Sequence, residues 1–495
     1  MRIRWLIPGL AALWLGSLVS GCAVLPGEVG LQSVEADREL GQQVAKEVEA
    51  EIGLVEDSAL TGYLDAVGRR LAAVYPDRRF QYTFQMVDQA EPNAFAAPGG
   101  AVYVSRGLFA LLGSEEELGN VLGHEMIHVS RRHTAQQLAR SRTPVLLGLP
   151  GQVVGRVLSR DLGAIINAPV STLGSAFIAK HSREDEFEAD RLGQQLAAQS
   201  GYDPGALATI MDRLEQEDRV RAGEERRPSF LDTHPTTPDR VGRLGRDAQA
   251  IAWSRQPGVA RDATEFLRRL DGLLVGANPS EGVIQGRRFL HPVLDFSLTF
   301  PDGWKAMNTR QALVAMTPKK EALLALGVLP ETIEPGKAAA AMTRAMEEEF
   351  RIRPTRSEAV RLGQLPAHVL TYTDRTGREP MDLHFLWVAY SEKTYQFIAL
   401  APERYRAALR EVALSFQPLT AAERASFTET RLRVVPARTG ETLERLSART
   451  RNVWDAQTTA VMNGRTPARP LAEGQLVKIG VPQPYRPPAA GGPSR

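Results

Sequence analysis

The chain is 495 residues long, 43% hydrophobic and 24% charged, an ordinary globular composition with material for about three domains. Its 60 basic residues against 58 acidic ones leave a formal charge of +2, which excludes the broad basic field that nucleic-acid binding demands, so no nucleic-acid partner is expected. A single cysteine excludes a disulfide framework.

Arg2 and Arg4 precede an apolar run from Trp5 to Val19, which has the length of a signal-peptide core and falls short of the ~20 residues of a membrane span. Residues 1–21 therefore read as a signal peptide and the chain as exported. The run ends in Val19-Ser20-Gly21-Cys22, which resembles the lipobox of bacterial lipoproteins. That resemblance implies lipidation of Cys22, whose several acyl chains would hold the protein on a membrane where one chain would not. Ala23 after the cysteine then implies the inner leaflet of the outer membrane, with residues 22–34 as the lipidated tether.

Beyond the tether, Val34 to Ala73 has helical spacing of apolar residues in two stretches separated near Gly53. Phe80 to Val87 alternates as a strand, and Ala101 to Val104 is a second strand introduced by Pro98-Gly99-Gly100. Ser114 and Glu117 form a capping box, and Leu118, Val121 and Leu122 supply the apolar stripe of a helix that runs into His124-Glu125-Met126-Ile127-His128. From Pro144 to Ile178 the chain is apolar but broken by Gly148, Pro150, Gly151, Gly155 and Gly163, the pattern of a hairpin or lid and not of a membrane span. Helices follow over Glu184 to Gln199 and Pro204 to Asp218, and the first domain, residues 35–255, closes near Trp253.

Residues 256–280 read as a linker, after which the character changes to β. Leu294 to Phe300, Ala312 to Thr317, Ala322 to Val328, His368 to Thr373, Asp382 to Tyr390 and Tyr395 to Leu400 are strand candidates. With helices over Gly336 to Phe350 and Pro402 to Leu414, they make an α+β domain over 281–420. It resembles the PsbP-like fold in Phe300-Pro301-Asp302-Gly303-Trp304 and Ser415-Phe416, while His291, His368 and His384 read as packing or surface histidines. Over 430–481, Gly440-Glu441-Thr442-Leu443, Leu446, Asn463-Gly464, Gly474-Gln475 and Val477-Lys478-Ile479 resemble a LysM repeat. That resemblance implies a small βααβ unit associated with peptidoglycan, a generic docking module being the alternative; the 482–495 tail is rich in proline and glycine and reads as disordered.

The chemistry centres on 124–128. Two histidines four apart on a helix face one way and can share a metal ion, with Glu125 between them placed to take a proton from a water at that metal. A hydrolytic zinc site needs a third protein ligand and an open position. In Glu186-Phe187-Glu188-Ala189-Asp190 the i, i+4 spacing sets Glu186 and Asp190 on one helical face, so that one can ligate while the other accepts a ring N–H from a ligand histidine. Taken alone, the charge run from Glu184 to Asp190 would equally be a solvated face. His133 and His181 lack ligand spacing and stay outside the metal shell.

Together with Asn93-Ala94-Phe95-Ala96-Ala97-Pro98-Gly99-Gly100 upstream and Thr233-His234-Pro235 and Arg240 downstream, these motifs resemble the bacterial, HtpX/BepA-like branch of the CAAX-prenyl-endopeptidase family over about residues 35–250. The resemblance implies a multidomain protein whose mainly α-helical gluzincin domain carries a small β-hairpin or edge strand. It assigns one Zn2+ to His124, His128 and Glu186, the base to Glu125 and the support to Asp190. Asn93, Ala94, Phe95, Gly99 and Gly100 would form the edge on which an extended substrate is laid, a plain hairpin turn being the alternative. His234 would either latch the zinc or stabilise an oxyanion, against a loop-capping role; Arg240 would either meet substrate or pair near Asp239. Ile127 stands where relatives commonly have a small residue. The expected function is a membrane-anchored periplasmic zinc endopeptidase acting on unfolded or misassembled envelope proteins. The alternatives are a latched chaperone or assembly factor binding outer-membrane proteins or peptidoglycan, and hydrolysis of peptidoglycan peptides.

Overall fold

The computed structural model describes residues 33–140, 181–222, 228–235, 238–310, 312–377, 379–467 and 469–487. The signal peptide, Cys22, the tether to residue 32, the hairpin or lid segment and the tail from 488 lie outside the described residues. The protein is multidomain, with two compact units: one formed by the described parts of 33–278 and 427–487, the other by 279–426.

In the first unit, α1 (Val34–Glu51) and α2 (Ser58–Val74) form where two helices are expected, each N-capped by a polar side chain, Ser33 and Asp57. Three strands, β1 (Thr83–Val87), β2 (Ala94–Ala96) and β3 (Ala101–Ser105), make a small sheet in the order β1-β3-β2, parallel between β1 and β3 and antiparallel between β2 and β3. Among the described residues no further strand pairs with β2, and the Ala96 carbonyl accepts from the Thr134 hydroxyl. Gly99 and Gly100 are needed for this hairpin, because both have positive φ and a Cβ on Gly100 would stand 2.3 Å from the carbonyl oxygen of Gln81.

The short α3 (Arg106–Leu111) leads into α4 (Glu115–Ser130), the motif helix, whose residues from Leu118 to Ser130 are all buried. Leu118, Val121, Leu122 and Met126 each contribute about 1.5–3 kcal/mol by burial, so the motif is carried by the core itself. The capping box is half formed. Ser114 accepts from the Glu117 N–H, but the Glu117 carboxylate accepts from the Gly113 N–H and pairs with Arg213. Then come α5 (His133–Arg140), α6 (Arg183–Gln199), α7 (Ala206–Val220), α8 (Phe230–Thr233), α9 (Pro238–Ala250) and α10 (Ala263–Arg269).

The stretch expected as a linker is folded. Phe266 and Leu270 of the α10 region are completely buried in the same core as α4, and β4 (Leu274–Val275) joins a sheet. Polar and glycine residues mask the few apolar anchors that dock this segment.

The second unit places a seven-stranded antiparallel sheet between two covering layers. After β5 (Val283–Gln285), β6 (Arg288–His291) and β7 (Phe296–Thr299) come β8 (Lys305–Asn308), β9 (Leu313–Met316), β10 (Leu323–Val328), α11 (Pro335–Phe350), β11 (Arg356–Leu362), β12 (Leu365–Asp374), β13 (Met381–Tyr390), β14 (Lys393–Pro402), α12 (Arg406–Leu414) and β15 (Gln417–Pro418). The large sheet runs β11-β12-β13-β14-β10-β9-β8 and a smaller one β15-β7-β6-β5. Along β13, Phe385 and Trp387 join a core with Met346 of α11, whereas Leu386 and Val388 join a core with Phe296 and Phe416. Both faces are covered, which is why that strand reads as a continuous apolar run.

The chain then returns to the first unit through β16 (Thr428–Pro436), α13 (Leu443–Thr450), α14 (Ala456–Met462) and β17 (Leu476–Pro484), a βααβ order. The sheet β17-β16-β4 ties this segment to residues 274–275, and Leu432, Val461 and Met462 enter the core shared with α4. The 430–481 segment is thus part of the first unit and not a free-standing module, and β17 carries ordered strand through Pro484, past the expected start of the tail.

Candidate metal centre

Helices α4 and α6 cross at a point where neither has a side chain. A Cβ on Gly123 would lie 2.9 Å from the Gly193 carbonyl oxygen, and one on Gly193 would lie 2.8 Å from the His124 nitrogen. This close approach brings the buried face of α6, with Glu186 and Asp190 one turn apart, against the imidazoles of α4. The third contributor is the turn after α8. There Ser229 and Asp232 form a capping box, the His234 ring stacks on Phe230 with centroids 4.3 Å apart, and the His234 N–H donates to the Phe230 carbonyl.

Four ligand atoms converge. His124 Nε2 lies 3.0 Å from His128 Nε2 and 3.2 Å from His234 Nδ1, while Glu186 Oε1 lies 3.3 Å from His128 Nε2 and 2.9 Å from His234 Nδ1. A tetrahedral zinc with bonds of ~2.0–2.1 Å to its ligands sets those ligand atoms about 3.3 Å apart. The observed separations fit that figure. Three imidazole nitrogens and a carboxylate facing one another at this range are a donor set of the kind zinc takes, so the residues present fit a zinc ion. Among the described residues this is the one group of histidine, cysteine and acidic side chains able to hold a metal.

Around the four, Asp190 Oδ1 stands 3.1 Å from His124 Nδ1, on the atom of that ring that does not face the other ligands. Arg240 donates from Nε and Nη2 to the two oxygens of Asp190, lies 2.7 Å from Glu186 Oε2, and donates from Nη1 to the carbonyls of His234 and Pro235. Arg240 is buried, 2% exposed, and its guanidinium is held by the two carboxylates of α6. Burial opposes charge on both carboxylates, yet His234, His128 and Arg240 hold Glu186 well below the usual range, and His124 with Arg240 lowers Asp190.

Glu125 is different. Among the described residues no hydrogen bond reaches either of its buried oxygens, His234 Nε2 stands 3.5 Å from Oε1, and burial raises its pKa. A carboxylate left open beside the ligands is disposed to take up a proton.

The other predicted residues fall on the β2 hairpin. Ala94 is buried, Phe95 stacks on Tyr103 with ring centroids 4.9 Å apart, and Asn93 exchanges backbone hydrogen bonds with Ser105, its N–H to the hydroxyl and its carbonyl from the N–H. Ile127 is fully buried. Sequence reasoning missed the Gly123–Gly193 contact, for which the only signal was a glycine inside each helix. It also missed the packing of His181, whose ring stacks on His128 with centroids 4.0 Å apart.

Residues 58–247 match Peptidase family M48. The chain is similar to the beta-barrel assembly-enhancing protease of Escherichia coli K12, 28% identical over 238 residues, covering 47% of this chain and 47% of that protein. It is similar to the putative beta-barrel assembly-enhancing protease of Vibrio cholerae, 33% identical over 221 residues, covering 43% and 45%, and to the mitochondrial metalloendopeptidase OMA1 of Schizosaccharomyces pombe, 28% identical over 236 residues, covering 47% and 65%. The chain therefore spans about half the length of the bacterial relatives. Among solved structures, cyanobacterial PsbP from Synechocystis sp. PCC 6803 covers 29% of this chain and 98% of its own at 13% identity, but a TM-score of 0.23 is too low to define a fold. The converging side chains on α4, α6 and the turn after α8 all lie inside 58–247, the stretch of the chain that matches peptidase family M48.

Proposed function

We propose that the protein is a zinc endopeptidase of the bacterial envelope, cleaving misfolded or misassembled envelope proteins. The observation that carries this reading is the convergence of His124, His128, Glu186 and His234 beside a buried Glu125 whose carboxylate accepts no hydrogen bond among the described residues. Zinc bound there would lower the pKa of a water towards ~7 and polarise a peptide carbonyl. Glu125 takes the water's proton and passes it to the leaving amine. His124 and His128, held by α4, and Glu186, held by α6, would hold the metal, while Asp190 and Arg240 would orient His124 and Glu186.

An extended segment of substrate is laid along the outer edge of the sheet at β2, Ala94 to Ala96, through backbone hydrogen bonds, so selection depends on unfolded chain more than on sequence. Asn93, Gly99 and Gly100 hold that edge in shape. Cys22 anchors the protein by lipid to the inner leaflet of the outer membrane, and the βααβ segment, as a LysM-like element, contacts peptidoglycan. The names of the bacterial relatives, which refer to assembly of beta-barrels, support envelope proteins as clients. Full-length Glu125→Gln should bind one zinc per chain and leave casein intact; cleavage at the unsubstituted rate would remove Glu125 as the base.

A second reading, a latched resting state, is favoured by His234. Its Nδ1 takes the fourth ligand position, the one that catalytic sites leave for water, and its Nε2 faces Glu125. In that state the protein would hold clients without cutting them, as an assembly factor does. His234→Ala should raise peptidase activity on casein. A fall would assign His234 to the oxyanion, and an unchanged rate would leave it neither role.

A further inference from the structure

We propose that His133 is a positioning residue for the metal ligand His128, the inner member of a relay that ends on two carboxylates of α6. The inference rests on the reading of His128 as a ligand through Nε2. If Nε2 binds the metal, the ring proton of a neutral His128 is on Nδ1. That atom lies 3.0 Å from Nδ1 of His133. For His133 to accept there, its own proton must sit on Nε2, and Nε2 is the atom that faces acid, 3.5 Å from Asp185 Oδ1 and 3.4 Å from Glu188 Oε2. One assignment of protons therefore satisfies every contact in the chain from metal to His128, His133 and the carboxylates.

The backbone is shaped for this contact. Between α4 and α5, Arg132 takes a left-handed conformation with φ 61°, which costs a non-glycine residue about 1–3 kcal/mol. It is held there by the buried carboxylate of Asp37, to which its guanidinium donates at 2.6 and 3.0 Å. The reversal turns His133, five residues beyond His128, back underneath it, where it is 4% exposed. On the other face of the His128 ring lies His181, stacked at 4.0 Å, so the imidazole is held both in plane and in tautomer. Asp190 stands in the corresponding position for His124 at 3.1 Å, but reaches that ring directly. The two ligand histidines are thus oriented by different means from the same helix, α6, which also supplies Glu186.

The test is zinc affinity of the full-length protein, read by competition with a chromogenic chelator and therefore independent of peptidase activity. Asn Oδ1 occupies the place of His Nδ1 and still accepts from His128, whereas Leu and Ala offer no acceptor. His133→Leu and His133→Ala should weaken zinc binding roughly 10–100-fold, the usual loss when the partner of a ligand histidine is removed, and His133→Asn should stay within about threefold of the unsubstituted protein. Thermal unfolding of the metal-free proteins separates misfolding from lost affinity, and if His133→Leu does not fold, His133→Ala carries the comparison. Affinity unchanged in Leu or Ala, or equally weak in Asn, would overturn the relay while His128→Ala still abolishes binding. If the unsubstituted protein binds no stoichiometric zinc, the metal centre itself is wrong.

Discussion

At residue scale, the separation of α4 from α6 is set by hydrogen atoms where side chains would otherwise stand. Gly119 faces the Tyr202 ring and Gly123 faces Gly193, one turn further along α4. A methyl group on Gly193 would meet backbone atoms of His124 at 2.8 and 2.9 Å, and backbone cannot swing aside as a flexible side chain can. Gly193→Ala should therefore push the helices apart, cost about 1–3 kcal/mol in urea unfolding and weaken zinc binding in the same protein. Retained affinity with lost stability would show that the ligand geometry does not depend on this crossing. The ligands themselves were legible because i, i+4 spacing is a local property, visible for His124 with His128 and for Glu186 with Asp190. Arg240 was not. Its partners Asp190 and Glu186 lie 50 or more residues away in sequence, and nothing near it distinguishes a buried arginine from a surface one.

At the scale of elements, α4 is fixed at its N-terminus before its motif begins. The Glu115 carboxylate accepts from the hydroxyls of Tyr63 and Tyr202 and from the N–H groups of Val259 and Ala260, joining α2, the turn before α7 and the segment before α10 to the positive end of the helix. Glu115→Ala would leave three buried donors and the half-buried Val259 N–H without this acceptor. At about 1–3 kcal/mol for each such group, not fully additive, the loss should reach at least ~3 kcal/mol in the urea midpoint, and a loss under ~1 kcal/mol would mean that water replaces the carboxylate. Helix existence and the long strands of the second unit were readable from apolar periodicity. The strands of the second unit that sequence reasoning passed over, β5, β6, β8, β11 and β15, are short or, like β11, exposed along most of their length, and without a buried face a strand has no period to read.

At the scale of the whole molecule, the first unit is assembled from both ends of the chain. Lys478 of β17 is buried to 1% exposure, and its ammonium donates to the carbonyls of Ala110, Leu111 and Leu112, the unpaired end of α3 just ahead of the motif helix. Arg213 donates to the same Leu111 carbonyl. Lys478→Met should strip the Ala110 and Leu112 carbonyls of this donor and leave Leu111 to Arg213 alone, at a cost of roughly 2–4 kcal/mol. Hydrogen exchange should then show protection falling together in 106–130 and 428–484; a fall confined to 428–484 would mark that segment as autonomous. Sequence could show that residues 430–481 have the makings of a βααβ unit, because each piece is local. It could not show that the unit shares a core with residues 300 positions earlier, because a docking face and a solvent face of mixed polarity read alike.

The Lys478 contact also has a temporal side. The carbonyl of Leu112 precedes its lysine by 366 residues. At about 5–20 residues per second of synthesis, the end of α3 waits roughly 20–70 s for its partner. During that interval the apolar residues that pack against Leu432, Val461 and Met462 lack those partners, so this core is completed only after the whole intervening second unit has been made.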